Sequence, residues 1–480
     1  MKRTLLAVAV AAALAGCAVV QPVPPKLDLP DATATSAQNA LLERWWIAFD
    51  DPVLTQLIDE ALANNLDLRV TLARIEAARS QVLLAQSNLI PSANINANAN
   101  RSRISANTSP PLPAGIGQTS NDFGLSVGVS YELDVWGKYR SGLLASTNDL
   151  TASRYYRETV RIGVAGDVAS AYFRLRAADA EMKLLQDTLQ LRTETVQLQR
   201  DRFEGGIIGE YDLRTAEAEQ SAVVADIARA QKAIGLYESA IATLTGRSPR
   251  AVFTPQVARG ASIEAVTAVP ELPSGLPSGL IERRPDIRRS EALLAASDLR
   301  IQEARANYFP SLSLTGAFGV ESAALSSLFT GPAGIWALGI GLAQPLFGLK
   351  AIEAQVELAT ARRDQTTIEY QQVVQNAFRE VHDALVSHRS AREALAAETA
   401  RRDQIAKAYE VAQLRYDAGR TSFLEVIDAQ RTLLAADTLR IGAARDAKLS
   451  IVDFAKALGG GWSPSEFTET SAKGVRGAGG

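Results

Sequence analysis

The sequence predicts a mixed α and β membrane protein in which each chain gives four strands to a β-barrel and stands two long helical hairpins in water. Three observations carry that prediction. From Lys350 to Leu458 there is no proline, and the one obvious break in a helix-friendly run is Tyr416–Ser422. From Gly137 to Ser248 there is again no proline, with a similar break at Arg202–Gly209. Four other segments place apolar residues at every second position, the period of a strand with two unlike faces.

The chain opens with Lys2-Arg3, an apolar run from Leu5 to Leu14, and Leu14-Ala15-Gly16-Cys17, which holds the only cysteine. This resembles a secretory leader (1–16) ending in a bacterial lipobox, so Cys17 is the expected lipidation site; the plainer alternative is an ordinary signal peptide with an incidental cysteine. A single thiol excludes an intrachain disulfide. Ala18, where an aspartate is absent, is compatible with outer-membrane sorting of a lipoprotein. Beyond the leader no apolar run is long enough for a transmembrane helix. The formal net charge of −3 falls by two further when Lys2 and Arg3 leave with the leader, which argues against a nucleic-acid partner.

Residues 17–50, with Pro22, Pro24, Pro25 and Pro30, read as a tether, although the body already begins at Trp45-Trp46. Pro52 suits a first helical position, and Leu54, Leu57, Ile58, Ala61 and Leu62 supply an apolar face. A second helix is expected over Asp67–Leu89. Strands are expected at about 93–103 and 124–135, where Ala93, Ile95, Ala97 and Ala99 alternate with asparagines and Leu125, Val127, Val129, Tyr131 and Leu133 alternate with polar residues. A hairpin over about 138–245 completes a first repeat, 51–248, with Val164, Val168, Ala171 and Leu175 as its seam.

Prolines mark a linker over 249–284, after which the order recurs. Asp67-Leu68-Arg69, Asn88 and Pro91-Ser92 return 219 positions later as Asp286-Ile287-Arg288, Asn307 and Pro310-Ser311; Val168, Arg202, Gly206, Asp212 and Ala216 return 213 positions later as Val381, Arg415, Gly419, Glu425 and Ala429. The second repeat, 285–458, carries strands at about 311–321 and 335–345 and a hairpin over about 349–457, seamed by Val374, Phe378, Val381 and Leu385 and then by Ile405, Tyr409, Ala412 and Tyr416. Ser422-Phe423-Leu424-Glu425 reads as a capping box that restarts the helix. Residues 459–480, rich in glycine, read as a disordered tail.

Arg362, Arg363, Asp364, Arg401, Arg402 and Asp403 keep the hairpins out of lipid. Four strands cannot close a membrane barrel, so several copies must share one; three would give twelve strands.

Trp45-Trp46-x-x-Phe49-x-Asp51-Pro52-x-Leu54, Arg283-Arg284-Pro285-Asp286-Ile287-Arg288, Asn307-Tyr308-Phe309-Pro310-Ser311 and Arg415-Tyr416-Asp417-Ala418-Gly419 resemble the outer-membrane efflux proteins. These are the TolC-like channels, and the chain is most similar to their lipoprotein branch, typified by OprM and NodT. The resemblance implies a homotrimer with a twelve-stranded barrel in outer-membrane lipid, a helical tunnel through the periplasm, and a periplasmic adaptor joining it to an inner-membrane efflux pump that exports small toxic compounds. It also implies a periplasmic gate of inward-facing carboxylates at Asp212, Glu425 and Asp428, with a latch at Tyr416. Thr421 stands where some members have an arginine, with Arg420 adjacent. The turns, with Gly205, Gly206, Gly209, Gly419 and Arg420, are the candidate adaptor-docking surface.

For Glu425 the competing reading is helix capping, and for Asp212 a first-turn acid favoured by the helix dipole. A protein-secretion duct shares the architecture, and a lipid-anchored periplasmic scaffold would explain the hairpins but not the strands. No enzyme is expected. His382 and His388 are six apart rather than at a helical ligand spacing, and no metal, cofactor or phosphate motif occurs.

Overall fold

The computed structural model describes residues 43–105, 107, 117–265 and 283–462. The leader, Cys17, and the stretches 266–282 and 463–480 lie outside the described residues. After a 3-10 turn, Trp45–Phe49, come α1 (Pro52–Asn64), α2 (Leu66–Ser87), β1 (Ser92–Arg103), β2 (Thr119–Leu133), α3 (Lys138–Glu204), α4 (Glu210–Leu244), α5 (Pro249–Phe253), α6 (Pro285–Ala306), β3 (Ser311–Ser322), β4 (Gly334–Ala343), α7 (Leu349–Asp417) and α8 (Phe423–Ala457). The order helix, strand, strand, long helix, helix thus occurs twice. The chain divides into two compact units.

The first unit holds residues 75–153 and 290–370 and centres on one antiparallel sheet of order β1-β2-β3-β4. Directly opposed residues share a face, so the register sorts the side chains. Ile95, Val127, Phe318 and Trp336 form one row, flanked by Tyr131, Leu314 and Ile340 and by Leu133, Leu312 and Leu342. The other face carries rows such as Ser92, Ser130, Thr315 and Gly339. Its apolar face is open: Trp336 is 75% and Leu338 82% exposed. An exposed apolar face with two unpaired edges is tolerable only in lipid, beside further strands. Where the chain leaves β2, the Trp136 indole N–H donates to the Pro310 carbonyl at 2.8 Å and its ring stacks on Phe309. Arg363 pairs with Asp298 at 3.0 Å, tying α7 to α6.

Of the described residues, the second unit holds 43–74, 154–265, 283–289 and 371–462. Its core gathers Trp45, Trp46 and Phe49 with Leu54, Ile58, Val164, Val168, Phe173, Leu175, Ile241, Ile451 and Val452. Residues 45–49, expected to belong to the tether, are packed instead, because the two indoles and Phe49 bury more apolar surface than a chain in water could leave exposed. Asp51 caps α1 by accepting from the Val53 and Leu54 amides, and it also accepts the Tyr172 hydroxyl at 2.6 Å. Burial, and then that carboxylate, push the Tyr172 phenol far above its ordinary pKa. Residues 459–462, expected to belong to the disordered tail, are ordered and packed instead. Gly459 ends α8 in a left-handed turn, and buried Trp462 donates to the Arg283 carbonyl at 3.0 Å. Val381, Ala384, Phe454, Ala457 and Leu458 seam α7 to α8, as the stepping of apolar residues predicts.

Candidate functional site

Both hairpins end in the same backbone device. Gly206 and Gly419 each sit at φ 68°, a conformation that costs a side chain-bearing residue dearly. The following amide reaches back across the turn, Ile207 to the Arg202 carbonyl and Arg420 to the Arg415 carbonyl, both at 2.8 Å. This closure satisfies carbonyls left free at the ends of α3 and α7.

The side chains at the two tips differ. Tyr416, at the end of α7, accepts hydrogen bonds from Arg202 and, at 3.2 Å, from Gln199, both on α3. The Arg202 guanidinium lies 5.4 Å from the Tyr416 ring centroid, adding a cation–π contact. Beneath them Val196, Ala216, Phe423 and Ile427 form a small buried cluster drawn from α3, α4 and α8. Tyr416 is thus held by an arginine from the other hairpin rather than from its own turn. Arg420 makes no ion pair among the described residues.

The capping box expected at Ser422–Glu425 does not form. Ser422 occupies the cap position without a side-chain bond. The Glu425 carboxylate instead accepts from Thr421 and pairs with Arg415 at 3.2 Å. Its charge is drawn to a nearby guanidinium, which outweighs a bond to a neutral amide. Asp212 and Asp428 make no side-chain hydrogen bond or ion pair among the described residues. On the first hairpin, Arg214 and then Arg200 hold Glu217 below the usual carboxylate range.

Farther from the tips, Arg192 is buried and reaches the Gln430 side chain, and Glu219 lies 3.5 Å from it. Glu219 also accepts from Arg431 at 2.8 Å, and Gln430 donates to the Tyr409 hydroxyl at 3.1 Å. One polar cluster therefore draws on α3, α4, α7 and α8. Burial lowers the Arg192 pKa, partly offset by Glu219. Arg202, Gln199 and Arg192 are partners that the sequence did not suggest. The available signal was the repeat itself, since Arg202 is the counterpart of Arg415.

A family model described as outer membrane efflux protein matches residues 57–247 and 276–460, one segment for each round of the element order. The chain belongs to the outer membrane efflux protein family. The antibiotic efflux pump outer membrane protein ArpC of Pseudomonas putida is 31% identical over 96% of both chains. The toluene efflux pump outer membrane protein TtgF, also of P. putida, is 33% identical over 96% of this chain and 98% of its own. The crystal structure of the Campylobacter jejuni CmeC outer membrane channel superposes with a TM-score of 0.86 at 29% identity, covering 94% of this chain and 97% of that one. This efflux protein is an outer-membrane channel, the exit duct of a tripartite efflux system. Its sheet supplies four of the twelve strands in a trimeric barrel, which answers the two open edges of β1 and β4.

Proposed function

We propose that the paired hairpin tips are the periplasmic gate of this duct, with Tyr416 as the latch and Asp212, Glu425 and Asp428 as the carboxylates of the constriction. The observation that carries the reading is the clamp of Arg202 and Gln199 on Tyr416, which fastens the end of one hairpin to the other. Three-fold repetition turns each carboxylate position into a ring that favours cations and repels anions. Asp212 and Asp428 make no side-chain hydrogen bond or ion pair among the described residues, which leaves both carboxylate groups uncommitted for such a ring.

The adaptor docks at the turns. Gly206, Gly209 and Gly419 have open space where a side chain would stand, and Ile207 is 75% exposed beside them. Gly205 and Arg420 complete that surface. The adaptor links the duct to an inner-membrane pump, which supplies the energy. Relatives named for toluene and antibiotic efflux support organic solvents and antibiotics as cargo. Lipid on Cys17 anchors the mature amino terminus.

Single-channel conductance in a planar bilayer tests the gate. Small, cation-selective steps are expected from the wild type, with larger steps from Arg202→Ala and weaker selectivity from Glu425→Ala/Asp428→Ala. Steps unchanged in both variants would return these residues to a purely structural role.

A further inference from the structure

The charged residues of the sheet are sorted by face. Within the four strands there are five: Arg101 and Arg103 on β1, Asp122 and Glu132 on β2, and Glu321 on β3. In the register, Arg101 lies opposite Asn121 and Arg103 opposite Thr119, in phase with Ala93, Ile95, Ala97 and Ala99. Both side chains therefore leave the sheet on its apolar, lipid-facing side. Asp122 and Glu132 are in phase with Ser126 and Ser130, and Glu321 lies opposite Gly124, which places all three carboxylates on the polar side.

The arginines also stand at a particular height. Along β2 the outward residues run from Phe123 to Leu133. At about 3.4 Å per residue and a tilt of about 40°, those ten steps span about 26 Å of membrane thickness, close to the apolar band of about 25 Å that such barrels present. The helices α2, α3, α6 and α7 all join the sheet at the end holding Ser92, Leu133, Ser311 and Ala343. That is the periplasmic end, so Arg101 and Arg103 stand just beyond the band on the extracellular side. At two residues per outward position, they reach about 5 and 10 Å past Ala99. Arg103 donates to the Gln118 side chain at 3.0 Å, a neutral partner that leaves its charge available. Arg101 makes no side-chain hydrogen bond or ion pair among the described residues.

We infer that Arg101 and Arg103 form a docking site for the phosphate groups of a phosphorylated glycolipid in the outer leaflet, repeated three times around the barrel. A planar guanidinium at headgroup height, with no carboxylate on its face of the sheet, suits bidentate phosphate recognition. The sorting also separates functions: cationic groups face the lipid phosphates, while the carboxylates line the lumen.

The test uses the purified full-length trimer in neutral detergent, with native mass spectrometry counting bound lipid. Diphosphorylated lipid A is the probe, compared with a phosphate-free glycolipid of the same acyl content and with inorganic phosphate. The wild type should retain lipid A in preference to both, and Arg101→Ala/Arg103→Ala should weaken retention by about tenfold to thirtyfold. Arg101→Lys/Arg103→Lys should recover part of it, and added salt should erode the difference. Heat-resistant trimer in every variant shows that the barrel has formed. Equal retention by the Ala variant, or equal retention of the phosphate-free lipid, would overturn the site. A preference for inorganic phosphate would make it an ion site rather than a lipid site. An Ala variant that loses its trimer even without lipid would assign the arginines to the protomer interface and likewise overturn the inference.

Discussion

The two hairpin tips share a backbone and differ in their side chains. Gly206 and Gly419 hold the same left-handed turn, and the same amide closes each helix end. Yet Phe203 at the first tip is 40% exposed, while its counterpart Tyr416 is gripped by Arg202 and Gln199. Asp212 makes no ion pair among the described residues, whereas its counterpart Glu425 is tied to Arg415 and Thr421. A duplicated chain thus kept the geometry that a turn requires and diverged in the polar contacts that fasten it. The proposed gate rests on that asymmetry.

Removing the clamp should break that asymmetry most strongly. Arg202→Ala is expected to raise single-channel conductance roughly severalfold, while Arg415→Ala, its counterpart in the repeat, should change it far less; equal effects would show that the tips are interchangeable. Arg192→Ala leaves the shared cluster with a buried gap but keeps Glu219 paired to Arg431. It should therefore cost about 3 kcal/mol, the low end for a broken buried pair, read as a drop in the melting temperature of the trimer.

The Tyr172 bond to Asp51 is expected to contribute about 1.5–3 kcal/mol, because its acceptor is charged. In the unfolded chain the phenol ionises near pH 10, and in the folded chain well above that. Its contribution is therefore complete below about pH 10 and is lost as the pH rises from there towards the folded-state value. Tyr172→Phe should lower stability at neutral pH and flatten the alkaline decline seen in melting curves of the wild type.

Gly206→Val and Gly419→Val should each cost about 1–2 kcal/mol, since the strain belongs to the shared backbone. Unequal costs would sharpen the comparison by locating a difference the backbone does not show. The smallest effect is expected from Ser422→Ala, a few tenths of a kcal/mol, because its hydroxyl makes no cap bond; Asp51→Ala, which removes a formed cap, should cost about 1 kcal/mol or more.

Much of this architecture is legible in the amino-acid order. The hairpins, the alternating strands and the two-fold order follow from local rules of period and turn chemistry, and Val168, Val381 and Gly419 stand where those rules put them. The capping box at Ser422 did not form, because the motif specifies a short-range option and not the guanidinium that competes for the carboxylate. The grip on Tyr416 was not legible either. Its donor Arg202 lies 214 residues away in the chain.

By itself, the sequence determined the class of each segment, the repeat and the need for a shared barrel, since each of these depends on neighbours in the chain or on the balance of apolar and polar faces. Only the tertiary structure decided which arginine holds which acceptor, that Trp45 and Trp462 are packed, and that every charge of the sheet is sorted by face. Those outcomes depend on register and on contacts between distant segments, where a shift of one residue would exchange inside for outside.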